Sequence, residues 1–161
     1  MKNSVDLHSL GGVDHSRMQE LLGYCLAQAA ILTGVAFDNA ISKTLQLRQV
    51  EFTVMTLIDS NALVTQKKLS VALAVAAPNL TVILDKMEAR GLLKRIRSEE
   101  DRRIQHLELT TAGRTTLKKA WTIAVGMEAD ILSHLSTAER VMLFELLMKV
   151  AHSRKSTRIS S

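Results

Sequence analysis

Arginines crowd one short stretch of this chain: Arg95, Arg97, Arg102 and Arg103, with Lys94 beside them and Asp101 two residues before Arg103. Guanidinium groups at a hairpin tip can enter a narrow groove of a polyanion, where negative potential is strong. A long side chain must be oriented to do so. Asp101 has the spacing to orient Arg103 through a bidentate contact. A second set lies just upstream. With Leu80 as origin and about 100° per residue of helix, Leu80, Ile83, Leu84 and Met87 share one side. Pro78, Val82, Asp85 and Ala89 take the opposite side, flanked by Asn79, Thr81 and Lys86. Asn79 and Thr81 can hydrogen-bond base edges or phosphates, Val82 can touch a thymine methyl, and Lys86 can reach a phosphate.

Each set has a plainer reading. The helix is also an ordinary amphipathic core helix. The hairpin tip, with Glu99 and Glu100, is also a solvated turn whose charges cancel. Order along the chain favours the nucleic-acid reading. A short helix over 65–73 leads through a tight turn to a second over 76–89. Gly91 stops it. Strands over 92–97 and 103–109 flank the charged tip, and Thr110 and Thr111 open another helix. Helix, turn, helix and basic hairpin make a winged helix-turn-helix.

The elements that must position these residues are helical. Aromatics are scarce and Pro78 is the one proline, so the core is packed by aliphatic residues. Apolar residues recur at Met18, Leu21, Leu22, Cys25, Leu26, Ala29 and Leu32, a helical stripe. A short helix over 37–44 and another over 47–58 follow. A long helix spans 111 to about 132, weakened at Gly126. Ser136 and Glu139 form a capping box for a last helix to about His152. The terminal helices carry more apolar surface than one small winged domain covers. Leu22, Leu26 and Leu32, and Met127, Ile131, Leu135, Met142, Leu143, Leu146, Leu147 and Val150, need a partner. A two-fold dimer supplies it; burial within the chain is the alternative.

Composition narrows the function. The chain has 161 residues and a net charge of +5. From Thr65 to Lys119 it holds twelve basic and six acidic residues, so the positive excess lies on the reading head. Such a surface attracts phosphate and releases counterions. One cysteine excludes an internal disulfide and suits a reducing compartment. No apolar run reaches the roughly 18 residues needed to span a membrane, and the N-terminus lacks the pattern of a signal peptide. The expectation is a cytoplasmic protein with no membrane partner. The five histidines are scattered, with no metal-ligand spacing, glycine-rich phosphate loop or nucleophile elbow. No metal, cofactor or catalytic residue is expected, and the chain reads as no enzyme.

The segment Asp101-Arg102-Arg103, followed by Leu107-Glu108-Leu109-Thr110-Thr111-Ala112-Gly113, resembles the wing of the MarR (multiple antibiotic resistance regulator) family. Leu80-Thr81 and Leu84-Asp85-Lys86-Met87-Glu88-Ala89-Arg90-Gly91-Leu92 are similar to its recognition helix and exit. Leu22-Gly23-Tyr24 and Leu47-Arg48-Gln49-Val50-Glu51-Phe52 match its earlier helices. The resemblance covers about residues 16–152. It departs at Val82, where many members are basic or polar, and at Ala76, where a capping Ser or Asp is common.

It implies a mainly α protein with a small β-hairpin wing, dimerising through helices from both termini and binding a pseudo-palindromic duplex. The implied organisation is an arm over 1–13, dimerisation helices over 14–46, a DNA-binding region over 47–110, dimerisation helices over 111–152 and a basic tail over 153–161. The DNA-binding residues expected are Asn79, Thr81, Val82, Lys86, Arg95, Arg97, Asp101, Arg102 and Arg103. The family often answers to small aromatic acids. Tyr24, Gln28, Arg48 and Trp121 are the candidate lining residues. Repression with release by such a ligand is the implied function. The alternatives are a winged-helix protein adaptor and an oxidant sensor through Cys25. Cys25 lies on an apolar stripe and reads as a buried small hydrophobe.

Overall fold

The structure, a computed structural model, describes residues 11–152, and the expected arm and tail lie largely outside them. A turn of 3-10 helix at Ser16–Met18 precedes α1, which runs unbroken over Leu22–Leu45. The sequence reading divided this run near Phe37. The backbone instead continues through a π-helical turn at Asp38–Ser42 into Lys43–Leu45. As one element of 24 residues it is long and apolar enough to cross a bilayer by length and composition, which the expectation of no such run had missed. Its second half serves the protein core instead, burying Phe37 and Ile41.

Helix α2 spans Gln49–Asp59, α3 Gln66–Leu73 and α4 Ala77–Ala89. Thr65 caps α3 by accepting the Lys68 N–H at 3.3 Å. Ala74 takes the left-handed conformation after α3, and the chain turns through 117° into α4. Pro78 lies in the first turn of α4, where N–H groups lack helical partners. Leu80, Leu84 and Met87 are fully buried on its core face, and each such burial contributes about 1.5–3 kcal/mol.

Gly91 ends α4 in a Schellman motif. Its φ is 68°, its N–H donates to Glu88 O at 2.8 Å, and the Leu92 N–H donates to Met87 O at 3.0 Å. The wing follows as β2, Leu93–Arg97, and β3, Gln105–Leu109. A third strand, β1 at Val64–Thr65, pairs antiparallel with β3, giving the order β1-β3-β2. The sequence reading expected a two-stranded hairpin; two residues are too few to show a period.

Thr110 caps α5, Thr111–Met127, and closes the wing. Its hydroxyl accepts the Gly113 N–H at 2.9 Å and donates to Gly91 O at 2.5 Å, while its N–H donates to Leu92 O at 3.1 Å. Gly113 is required by contact rather than by φ. A Cβ there would lie 1.9 Å from Leu92 O, a backbone atom already held by Thr110. Gly113→Ala is expected to destabilise by about 3 kcal/mol or more, beyond the usual scale of a small overpacking change. Urea unfolding checks this; an unchanged midpoint would contradict the close approach.

The helix expected to run to about residue 132 breaks at Glu128, leaving α6 at Ala129–Leu132. Ser136 and Glu139 form the expected capping box before α7, Thr137–His152. No residue of α7 is buried within the chain.

Candidate nucleic-acid interface

The candidate residues lie on the outer side of α4 and at the wing tip. Asn79, Val82 and Lys86 are exposed there, as the helical wheel requires. Thr81 is half-buried, and its hydroxyl is engaged. It donates to Ala77 O at 2.9 Å and accepts from Gln66 Nε2 at 2.6 Å. Gln66 opens α3, so this pair ties the two helices together. Sequence reasoning missed Gln66, because a contact between residues 66 and 81 has no local signature.

At the wing tip Arg97, Asp101, Arg102 and Arg103 are all exposed. Asp101 does not hold the Arg103 guanidinium as its spacing suggested. Its Oδ1 accepts the backbone N–H of Arg103 at 2.9 Å, and Asp101 O accepts the Ile104 N–H at 2.9 Å. An aspartate two residues ahead reaches the backbone at no side-chain entropy cost to the arginine, which is the usual Asx-turn outcome. The aspartate thus shapes the turn that presents Arg103. Lys94 pairs with Glu108 across the strands at 3.4 Å. Arg95 departs most from its expected place beside phosphate. Its side chain is turned inward against Asp85 and Glu88.

The head is joined to α1 and α2 by a buried carboxylate. Glu51 is 1% exposed. It accepts the Arg48 backbone N–H at 2.9 Å, the Arg48 guanidinium at 3.0 and 3.2 Å, and Arg90 Nη1 at 3.0 Å. Arg90, at the end of α4, also donates to Gln46 O at 2.5 Å. Burial pushes the Glu51 carboxyl up, but these donors outweigh it and hold the group below its usual value. Arg48 is therefore an ion-pair partner of Glu51 in this structure.

The four expected ligand-lining residues are not gathered in one described cavity. Tyr24 meets His15 through its hydroxyl, and Gln28 is half-buried on α1. Trp121 stacks on Phe52 with centroids 6.0 Å apart, and Phe52 meets Phe37 in turn. Trp121 lines an open cavity of about 590 Å³ between α2 and α5, with Thr56, Asp59, Ser60, Arg114, Leu117, Lys118 and Thr122. Arg114 faces Asp59 there at 3.4 Å. Cys25 is exposed, not buried, and its thiol donates to Gln19 O at 3.2 Å. Among the described residues the stripe on which it lies stays largely uncovered, so the stripe's spacing did not report burial.

A mostly helical chain with a three-stranded wing behind a two-helix reading unit is a winged helix-turn-helix. Comparison with known proteins agrees. The MarR family signature matches residues 47–105. The chain is 27% identical over 143 residues, 89% of its length and 86% of the relative's, to a Thauera aromatica protein named for transcriptional regulation of the hcr operon. It is 30% identical over 114 residues to the transcriptional repressor MprA of Escherichia coli, spanning 70% of this chain and 65% of that one. The solved structure of the transcriptional repressor CouR bound to a 23-mer DNA duplex superposes with a TM-score of 0.79 and 32% identity, covering 86% of this chain and 98% of CouR. CouR bound to p-coumaroyl-CoA gives 0.73 and 30%, covering 84% and 94%. The chain belongs to the MarR family of transcription regulators.

Proposed function

We propose that the chain is a homodimeric repressor that binds a pseudo-palindromic duplex and is released by a small aromatic acid. The observation carrying the DNA part is that Asn79, Val82 and Lys86 on the outer side of α4, and Arg97, Arg102 and Arg103 of the wing, are all exposed. Two reading helices would enter major grooves about one turn apart, with the wings at the flanking minor grooves. The CouR–duplex structure, 32% identical to this chain, supports this reading.

The dimer is supported by unpartnered apolar surface. Leu22, Ile31, Leu32 and Val35 of α1 are each more than half exposed, as are Val141, Met142, Phe144 and Leu146 of α7. Exposed apolar surface on this scale marks an interface, and two-fold pairing through both termini would cover it. The protein is assigned to the cytoplasm, where its duplex lies, and no catalytic residue enters this function.

The effector reading rests on the cavity at Trp121. An aromatic ring can stack on the exposed indole, and Arg114 or Lys118 can take a carboxylate. The structure of CouR with p-coumaroyl-CoA, an aromatic acyl thioester without a free carboxylate, supports the aromatic part of that class. A ligand releases DNA only if it favours one arrangement of the heads over another. Trp121 is the one tryptophan, so ring binding reports directly in its fluorescence. Titration with aromatic carboxylates should quench it and dissociate the duplex. Trp121→Ala should keep duplex affinity within about threefold while losing the release, since an aromatic contact is worth about 0.5–1.5 kcal/mol beyond its burial. Unchanged release in that variant would contradict the cavity.

A further inference from the structure

The reading helix carries an acid on its outer side, Asp85, and another on its flank, Glu88. A carboxylate beside a phosphate backbone opposes binding. Both acids are answered by one residue of the adjoining strand. The Arg95 backbone N–H donates to Glu88 Oε1 at 3.1 Å, its Nη1 pairs with Glu88 Oε2, and its Nη2 donates to Asp85 Oδ1 at 2.6 Å. Arg95 is 20% exposed at its side chain, while Asp85 is 57% exposed. The guanidinium is thus packed against α4 and turned away from solvent. Every charge-assisted bond the fork makes here goes to these two acids, so reaching a phosphate would mean breaking both pairs.

We propose that Arg95 is a positioning residue, a clasp that fixes the wing strand to the reading helix and neutralises Asp85 and Glu88 where the duplex approaches. This rests on the DNA-binding reading above. It changes the role expected of Arg95, the half-buried member of a set whose other arginines, Arg97, Arg102 and Arg103, are exposed. Two features make arginine suited to it. The planar fork meets two carboxylates at once, which a lysine ammonium on one stem does less well. The backbone N–H of the same residue fixes Glu88 as well, so strand and helix are held at two points.

A binding cycle on the full-length protein tests this, using a duplex that the unaltered chain binds. Arg95→Ala should weaken binding about thirtyfold, the scale of losing charge-assisted bonds. Adding Asp85→Asn and Glu88→Gln to that variant should recover about tenfold. The same two changes alone should alter binding less than about threefold, because the amide oxygens still accept the Arg95 N–H groups and the acids' charge was already neutralised; this coupling is what a cycle measures. Arg95→Lys keeps the charge but not the fork, and should still lose about tenfold. Thermal unfolding of each variant separates loss of fold from loss of binding. Equal gains from removing the acids in both backgrounds would overturn the clasp, as would Arg95→Lys binding like the unaltered chain, since both are the behaviour of a phosphate contact. Lack of salt-sensitive duplex binding by the unaltered chain would overturn the DNA-binding reading itself and the clasp with it.

Discussion

Replacing Arg48 and Arg90 together with alanine is expected to destabilise the protein by about 3–5 kcal/mol at neutral pH, the usual result of stripping the partners from a buried charge. Glu51 would keep its burial and the Arg48 backbone N–H but lose both guanidiniums. The asymmetry of the site matters. Arg48 and Arg90 are 57% and 37% exposed at their side chains, whereas Glu51 is 1% exposed. An orphaned arginine can reach water; an orphaned Glu51 cannot. Glu51→Ala should therefore cost less than the double arginine change, although it also removes an acceptor for the first turn of α2.

The pH dependence should reverse between the two proteins. In the unaltered chain the folded pKa of Glu51 lies below its usual value. Its stabilisation is then fully present above that usual value and is lost as pH falls through the folded pKa. In the double variant burial dominates and raises the folded pKa. Protonation then favours the folded state, so stability from this group should rise as pH falls towards the carboxylate range. Urea unfolding at neutral pH and at steps down through and below pH 4.5, the reference value of the group, reads both signs. A double variant that loses stability on acidification in parallel with the parent would contradict this account of Glu51.

Arg103→Ala carries the largest expected effect on binding. The Asp101 turn presents this side chain outward, and its backbone N–H is already satisfied by Asp101. Removing a guanidinium from a minor groove should cost about 1–3 kcal/mol, or roughly ten- to a hundredfold in affinity. The fold should be untouched, because the residue is exposed and at the hairpin tip. If the group neutralises a phosphate, the slope of log affinity against log salt should also fall by about 0.9. Asp101→Ala should weaken binding through the turn while leaving that slope nearly unchanged. Binding by Arg103→Ala equal to that of the parent would exclude the wing tip from the interface.

The elements were legible in the sequence wherever a local rule governs them. Thr65, Thr110 and the pair Ser136 and Glu139 cap helices through bonds three residues long, so their spacing announces them. Leu80, Leu84 and Met87 share one side of a helix because helical period alone decides it. What the sequence hid depends on pairs distant in the chain. Glu51 meets Arg90 and Gln66 meets Thr81 only after the fold has formed. Arg95 groups by sequence with the other wing arginines because no local pattern reveals two acids on a neighbouring helix, although alternation sets it on the face of the buried Leu93. Cys25 shows the opposite error. Its apolar stripe is real, but the stripe faces outside the chain, so the pattern reported a surface awaiting a partner rather than a core.

The same division holds for the site. The exposed positions of α4 and the tip arginines follow from period and turn chemistry. The cavity at Trp121 depends on how α5 lies across α2, and of the residues chosen from sequence for a ligand only Trp121 lines it.

The most direct test of the central claim is a titration of the purified protein against duplex DNA from its own upstream region, with an unrelated duplex as control and several salt concentrations. The account predicts two chains per bound duplex, clear preference for the upstream sequence and a steep loss of affinity as salt rises. Weak binding that ignores both sequence and salt would contradict it and leave the winged-helix surface to a protein partner.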